Sequence, residues 1–320
     1  MKPKLLIWLV TGKCNLNCKY CYARRFLTQE ELTTREAKRI VKEAHEIGVE
    51  HIAFTGGEPL LREDIFELLE FANTCGVEAS ITTNGTLITE DVAKTLKKLN
   101  TFLYISIDGV GKTHETLREK GTWDKLSRVF EILKKYKIPF ATITTLSKSN
   151  YLVVEETIKF LKEIGAEFSC MLPLMPFGRA KEDYVLSKDE LKDALFMVSE
   201  SAHRYKHTVN LWCMPFAIKY IENSYIYVAG CRNVDTIDIA PNGDMLLCDV
   251  LDIVITDVRK RSLSEALKIF ENHPLVKKLS QPVKKEPCKN CYVREFCMGG
   301  CYARAFKVYG NFNEKDPMCG

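Results

Sequence analysis

The sequence has 320 residues, 46% of them hydrophobic and 28% charged, which suits one large soluble domain with a smaller one. Its net charge of +4, from 46 basic and 42 acidic residues, is too even to point to nucleic acid, although local basic patches could steer an anionic partner or a redox protein. No apolar run approaches the roughly 20 residues of a membrane span, and the run at 5–10 is too short for a signal peptide, so the chain reads as cytoplasmic with no membrane partner.

In chain order, short apolar runs with strand character fall at 5–10, 51–55, 78–83, 102–107, 140–145 and 167–172. Helical periodicity lies between them, at 34–47, 64–75, 89–98, 123–136 and 150–163. Ala37, Ile40, Val41, Ala44 and Ile47, for example, recur on one helical face. Asp64 and Thr89 read as helix N-caps, and Gly48, Gly76 and Gly165 as stops. Strands alternating with helices predict an α/β fold around a parallel sheet, either an open barrel or a doubly wound sheet. Both place functional groups at the C-terminal ends of the strands. The distinctive residues fall there: Cys14 after the first strand, Gly56-Gly57-Glu58-Pro59 after the second, Asn84-Gly85 after the third and Asp108-Gly109 after the fourth.

A further helix is expected near 187–207. Helical periodicity then weakens and cysteines cluster, which places a domain boundary near 208: a barrel at 1–208 and a cysteine-rich α+β domain at 209–320. Asn242-Gly243 reads as a β-hairpin turn.

Thirteen cysteines are too many to be structural disulfides in a cytosolic chain. Ten fall into two groups, Cys14, Cys18 and Cys21 at the front and Cys231, Cys248, Cys288, Cys291, Cys297, Cys301 and Cys319 at the back. Cys75 and Cys170 read as small buried hydrophobes. The front set has the spacing CX3CX2C on a loop after a strand. Soft thiolates favour an iron–sulfur cluster or zinc. Three of them need a fourth ligand for a structural zinc, and on a cubane they leave one iron open, as catalysis requires.

This loop resembles the cluster-binding loop of the radical S-adenosylmethionine (AdoMet) superfamily. Gly56, Gly57, Glu58 and Pro59 resemble its GGEP segment, Thr83 and Asn84 its TNG segment, and Ser106 and Asp108 its SxDG segment; Thr144 is a weaker match. The resemblance implies a partial (β/α)6 TIM-like barrel. It also implies a 4Fe–4S cluster on Cys14, Cys18 and Cys21, AdoMet bound by the matching segments, and a 5′-deoxyadenosyl radical that takes a hydrogen atom from substrate. The rear cysteines resemble the SPASM domain, which holds two auxiliary 4Fe–4S clusters. Carried over, Cys288, Cys291, Cys297 and Cys319 would hold one. Cys231, Cys248 and Cys301 would hold the other, with Cys213 a candidate fourth ligand beside an open site or a substrate atom. Asp249 matches an aspartate that acts as a base in sulfatase-maturing relatives; the alternative is an aspartate bonding nearby backbone.

The implied partners are a peptide or protein substrate and a low-potential electron donor such as ferredoxin or flavodoxin. Thirteen residues precede Cys14, too few for a fused recognition domain, so a separate recognition protein or a substrate needing none is expected. The alternatives are a small molecule such as a tetrapyrrole side chain, for which Arg179 is a candidate carboxylate contact, and a non-catalytic zinc-binding module.

Overall fold

The computed structural model describes residues 3–230 and 235–320. Six strands form where apolar runs were expected: β1 (Leu5–Thr11), β2 (His51–Gly56), β3 (Glu78–Thr83), β4 (Phe102–Ser106), β5 (Phe140–Leu146) and β6 (Ser169–Pro173). They pair in parallel in sequence order. The connecting helices are α1 (Thr34–Glu46), α2 (Ile65–Thr74), α3 (Glu90–Lys98), α4 (Lys112–Leu117), α5 (Thr122–Tyr136) and α6 (Val154–Glu163), and α7 (Lys188–Tyr205) follows β6.

Each helix packs one apolar stripe on the sheet. In α1 the stripe is Ala37, Ile40, Val41 and Ala44, and a capping box between Thr33 and Glu36 fixes where the helix starts. Alternate strand residues complete this layer; Ile52 and Phe54 of β2 are fully buried while His51, Ala53 and Thr55 face the other way. Thr89 caps α3 as expected. Asp64 occupies the N-cap position of α2 without a capping bond, because its carboxylate holds Arg62 at 2.7 Å. Gly48, Gly76 and Gly165 end their helices at φ between 77° and 92°, where a side chain would be strained.

The sheet continues past the six expected strands. Beyond β6 lie β7 (Val209–Leu211) and β8 (Ile226–Val228), both parallel. On the opposite flank β9 (Thr236–Ile239) runs parallel to β1, followed by β10 (Asp244–Leu246) and β11 (Val254–Asp257), both antiparallel. The order is β11-β10-β9-β1-β2-β3-β4-β5-β6-β7-β8. This is an open, parallel-dominated TIM-like partial barrel, and the chain after 208 builds both of its flanks. Asn242-Gly243 forms the turn between β9 and β10, with Gly243 at φ 92°. The cysteine-rich end adds α8 (Leu263–Asn272), α9 (Pro274–Leu279), α10 (Arg294–Cys297) and α11 (Tyr302–Tyr309). Among the described residues no helix is long and apolar enough to cross a membrane.

Candidate active site and cysteine clusters

The register of β1 against β2 shifts between Leu9 and Thr11, just before the chain leaves the sheet as the cysteine loop. That loop lies against the end of β2. The Gly57 N–H donates to Thr11 O at 2.7 Å and the Glu58 N–H to Lys13 O at 2.8 Å. A Cβ on Gly57 would stand 2.0 Å from Lys13 O, and one on Gly56 2.4 Å from Thr11 O, so glycine is required at both positions by the close approach of two backbones.

Glu58 is completely buried. Its carboxylate turns toward β3, accepting from Thr83 Oγ1 at 2.7 Å, the Asn84 N–H at 2.8 Å and the Leu60 N–H at 3.2 Å. Burial raises its pKa, and these donors oppose the rise. Asn84 in turn reaches the cysteine loop, with Nδ2 2.9 Å from Asn15 Oδ1 and 4.0 Å from Cys14 Sγ. The second and third motif segments are thus joined to the first cysteine by one chain of hydrogen bonds. Pro59 opens a short turn of 3-10 helix directly after Glu58.

The fourth segment holds the other side of the loop. Asp108 is completely buried; Oδ2 accepts from Tyr20 Oη at 2.6 Å and Arg118 Nε at 2.7 Å, and Oδ1 from the Thr145 N–H at 3.0 Å. Arg118 Nη2 also donates to Tyr20 Oη at 2.8 Å. Burial alone would lower the Arg118 pKa; Asp108, Tyr20 and Cys18 more than reverse this and hold the guanidinium charged. Burial pushes the Cys18 thiol up to about 11, with Arg118 pulling it down and Cys21, Asp108 and Cys14 pushing it up. The three front sulfurs therefore share one electrostatic neighbourhood. Thr144 is buried, its hydroxyl donating to Ile107 O at 2.7 Å, and Ser106 ends β4 half-buried. Arg179 ties down the cysteine loop: its N–H donates to Cys21 O at 3.2 Å and its guanidinium to Asn17.

The segment after Cys21 holds the rear half of the molecule. Tyr22 Oη donates to Asp249 Oδ2. Arg25 donates to three successive carbonyls, those of Asp249 at 2.5 Å, Val250 at 3.0 Å and Leu251 at 2.9 Å. Lost solvation raises the Asp249 carboxyl above the usual range, against the pull of Tyr22 and Arg25. Asp238, Cys248 and Asp249 bring their ligand atoms within 4.8 Å of one another, and the Asp249 N–H donates to Asp238 Oδ2 at 2.9 Å.

Six of the other described cysteines gather in two places. Cys297 is pushed up to about 11 by burial, then by Cys319 and Cys288, and Cys319 is also raised, by burial first and in part by Cys291. These four thus share one neighbourhood. Cys301 occupies the N-cap position of α11 and donates its N–H to Asp316 Oδ2 at 2.8 Å, while Arg304, fully buried and paired with Asp316 at 2.6 Å, feels the charges of both Cys301 and Cys213. Cys213 has a φ of 58° and its carbonyl accepts from Arg304. Cys231 lies outside the described residues. Cys170 is fully buried and Cys75 half-buried.

Three thiols on one rim loop, backed by a buried carboxylate and a charged guanidinium, form a donor set chemically suited to an iron–sulfur cluster. The model of the radical SAM superfamily matches residues 8–161. An AdoMet-dependent heme synthase of Methanosarcina barkeri is 30% identical over 99% of this chain and 96% of its own length. The chain belongs to the radical SAM superfamily. A PqqA peptide cyclase of Rhizobium meliloti is 24% identical over 100% of this chain and 87% of its own length. The solved structure of native anSMEcpe with bound AdoMet and the Cp18Cys peptide matches 98% of this chain and 93% of that one at TM-score 0.80, with 22% identity, a likeness of fold. The chemistry of radical SAM enzymes uses AdoMet and a 4Fe–4S cluster.

Sequence reasoning missed Arg118, Arg25 and Asp238. Asp238 carried a usable signal, since it is a lone charge between Ile237 and Ile239 in its strand.

Proposed function

We propose that this radical SAM enzyme oxidises a tetrapyrrole at one of its carboxylate-bearing side chains. The observation that carries the reading is the whole-length likeness to a heme synthase, at 30% identity against 24% for the peptide cyclase. Cys14, Cys18 and Cys21 would hold the 4Fe–4S cluster. Gly56, Gly57, Glu58, Pro59, Thr83, Asn84, Ser106, Asp108 and Thr144 would form the AdoMet side of the rim. The bound cofactors supply a carbon radical able to take one hydrogen atom from substrate.

The residues have distinct tasks. Glu58 and Asn84 fix Cys14, while Asp108, Arg118 and Tyr20 fix the strip from Cys18 to Cys21. A cluster held from both sides keeps the reacting carbon and the substrate C–H bond in register, which supplies much of the rate. The region 209–320 would hold two auxiliary clusters. One takes Cys288, Cys291, Cys297 and Cys319; the other takes Cys231, Cys248 and Cys301, with Cys213 as fourth ligand. These would relay electrons between a protein partner and the site: one passed inward for cofactor cleavage, and afterwards, from the reoxidised clusters outward, the one that substrate oxidation releases.

A second reading, a peptide substrate, is favoured by the likeness to a PqqA peptide cyclase and by Asp249, a carboxylate of raised pKa held by Tyr22 beside Cys248. There Asp249 would accept the proton that leaves with substrate oxidation. The two readings are separated by incubating the reconstituted enzyme, AdoMet and reductant with an iron porphyrin bearing propionate groups. Loss of carbon dioxide from the porphyrin, seen by mass spectrometry, is the expected result. An unchanged porphyrin in the presence of 5′-deoxyadenosine formation would reject the first reading.

A further inference from the structure

The charge of this chain is concentrated beside one group of cysteines. Between 277 and 294 stand Lys277, Lys278, Lys284, Lys285, Lys289 and Arg294, against the single acid Glu286. That excess exceeds the net +4 of the entire chain. The five lysines are exposed. Lys285 pairs with Glu314 and Arg294 leans on Glu295 at 3.9 Å. Lys277, Lys278, Lys284 and Lys289 form no ion pair among the described residues, so their fields reach outward.

The same stretch carries Cys288 and Cys291, both partly exposed. The Lys289 N–H donates to Lys285 O at 2.9 Å, which folds the cysteine turn back onto the basic run. Tyr292, next to Cys291, is 79% exposed. Its hydroxyl stands 3.5 Å from Lys219 O, and Lys219 Nζ stands 4.0 Å from Cys319 Sγ and 3.1 Å from Gly320 O. An outward aromatic in a basic stretch, next to partly exposed thiols, has the anatomy of a binding surface, with an anchor and steering charge beside it.

We propose that the face formed by residues 277–294 docks an acidic protein carrying a one-electron centre. In its reduced form this partner would give one electron to the cluster proposed for Cys288, Cys291, Cys297 and Cys319, itself becoming oxidised by one electron. The inference rests on the auxiliary-cluster reading above. Fields from exposed lysines act over about 10 Å at ordinary ionic strength. They would raise the encounter rate with an anionic surface and lose that effect in salt. Cys288, Cys291 and Tyr292 share the loop, so a carrier seated there stands beside the cluster.

The test uses reconstituted holoenzyme and reduced flavodoxin, an acidic one-electron carrier. Anaerobic stopped-flow follows bleaching of the enzyme clusters, and biolayer interferometry follows binding of oxidised flavodoxin. The variant Lys277→Glu/Lys278→Glu/Lys284→Glu changes exposed side chains away from the proposed ligands. It should lower the bimolecular rate and the affinity at least tenfold, and the wild-type rate should fall at least tenfold between low and high salt. Reduction by dithionite, and the 5′-deoxyadenosine it supports, should be unchanged in the variant, which shows that the variant is folded. Equal flavodoxin rates in variant and wild type, a rate indifferent to salt, or tighter binding of duplex DNA than of flavodoxin would each overturn the docking proposal. Absence of 5′-deoxyadenosine with dithionite in both proteins would instead count against the enzymatic reading, since the binding measurement does not depend on turnover.

Discussion

Asp108 and Arg118 are joined by a 2.7 Å hydrogen bond in which both side chains are nearly cut off from water, at 0% and 9% exposure. Tyr20 closes the triangle from the cysteine loop. The group works as a latch between the end of β4 and the strip that carries Cys18 and Cys21. Removing one member leaves a buried charge without compensation, which costs about 3–5 kcal/mol. Arg118→Ala should therefore lower the free energy of unfolding by about that amount in anaerobic urea titrations. Arg118→Lys should recover only part, since a lysine cannot reproduce the fork to Asp108 and Tyr20. A loss below about 1 kcal/mol in the alanine variant would mean that the latch carries no such load.

Gly57→Ala tests the seam between the cysteine loop and β2. A methyl group placed 2.0 Å from Lys13 O forces backbone to move, and the atoms in its way are main chain. The variant should fold with reduced stability and bind less iron at the front site. Wild-type iron content and wild-type melting temperature together would contradict the close packing described.

Asp249→Asn separates two substrate readings. Loss of carbon dioxide from a carboxylate side chain releases an electron and no proton, so the tetrapyrrole reading predicts that the variant retains most product formation. Oxidation of a peptide side chain releases a proton, and that reading predicts 5′-deoxyadenosine with little product. Product yield per 5′-deoxyadenosine, measured on each substrate class, gives the answer.

Two buried imidazoles set a pH dependence. His114 and His207 are both lowered by burial from 6.5 to about 4. Arg118 further opposes protonation of His114, whose Nδ1 accepts the Asp108 N–H, and Lys162 opposes that of His207, which bonds Ser169 Oγ. In the unfolded chain these groups take up protons near 6.5, in the folded chain only near 4. The unfolded state thus binds more protons in that interval, and stability that is complete above pH 6.5 is lost as pH falls toward 4. Each imidazole contributes at most about 3 kcal/mol. Urea midpoints measured across this range should fall on acidification, and the fall should shrink in His207→Gln. A midpoint independent of pH would contradict the burial of the neutral rings.

The six-strand frame was legible because each strand is a bounded apolar run of five to seven residues, and each helix places its apolar residues on one stripe. The flanks were not. β7 to β11 are three or four residues long, and β9 pairs Thr236 with Leu5 across most of the chain, so no local periodicity announces them. The front motif could be read because its residue types are tied to fixed spacings at the strand ends. Arg118 could not: in the sequence it is one cation in LREKG, indistinguishable from a solvated loop residue, and its role exists only because Leu117 O binds the Lys19 N–H and brings α4 onto the cysteine loop. Arg25 was hidden for the same reason, since its three acceptors are backbone carbonyls more than 220 positions away.

The most direct test of the enzymatic reading is formation of 5′-deoxyadenosine by the anaerobically reconstituted protein, measured beside Cys21→Ala. The wild type should bind about twelve irons, as three 4Fe–4S clusters would, and cleave AdoMet only with reductant present. Cys21→Ala should lose the cleavage and keep the rear iron. An iron-loaded wild type that makes no 5′-deoxyadenosine, or a protein that takes up stoichiometric zinc in place of iron, would contradict it.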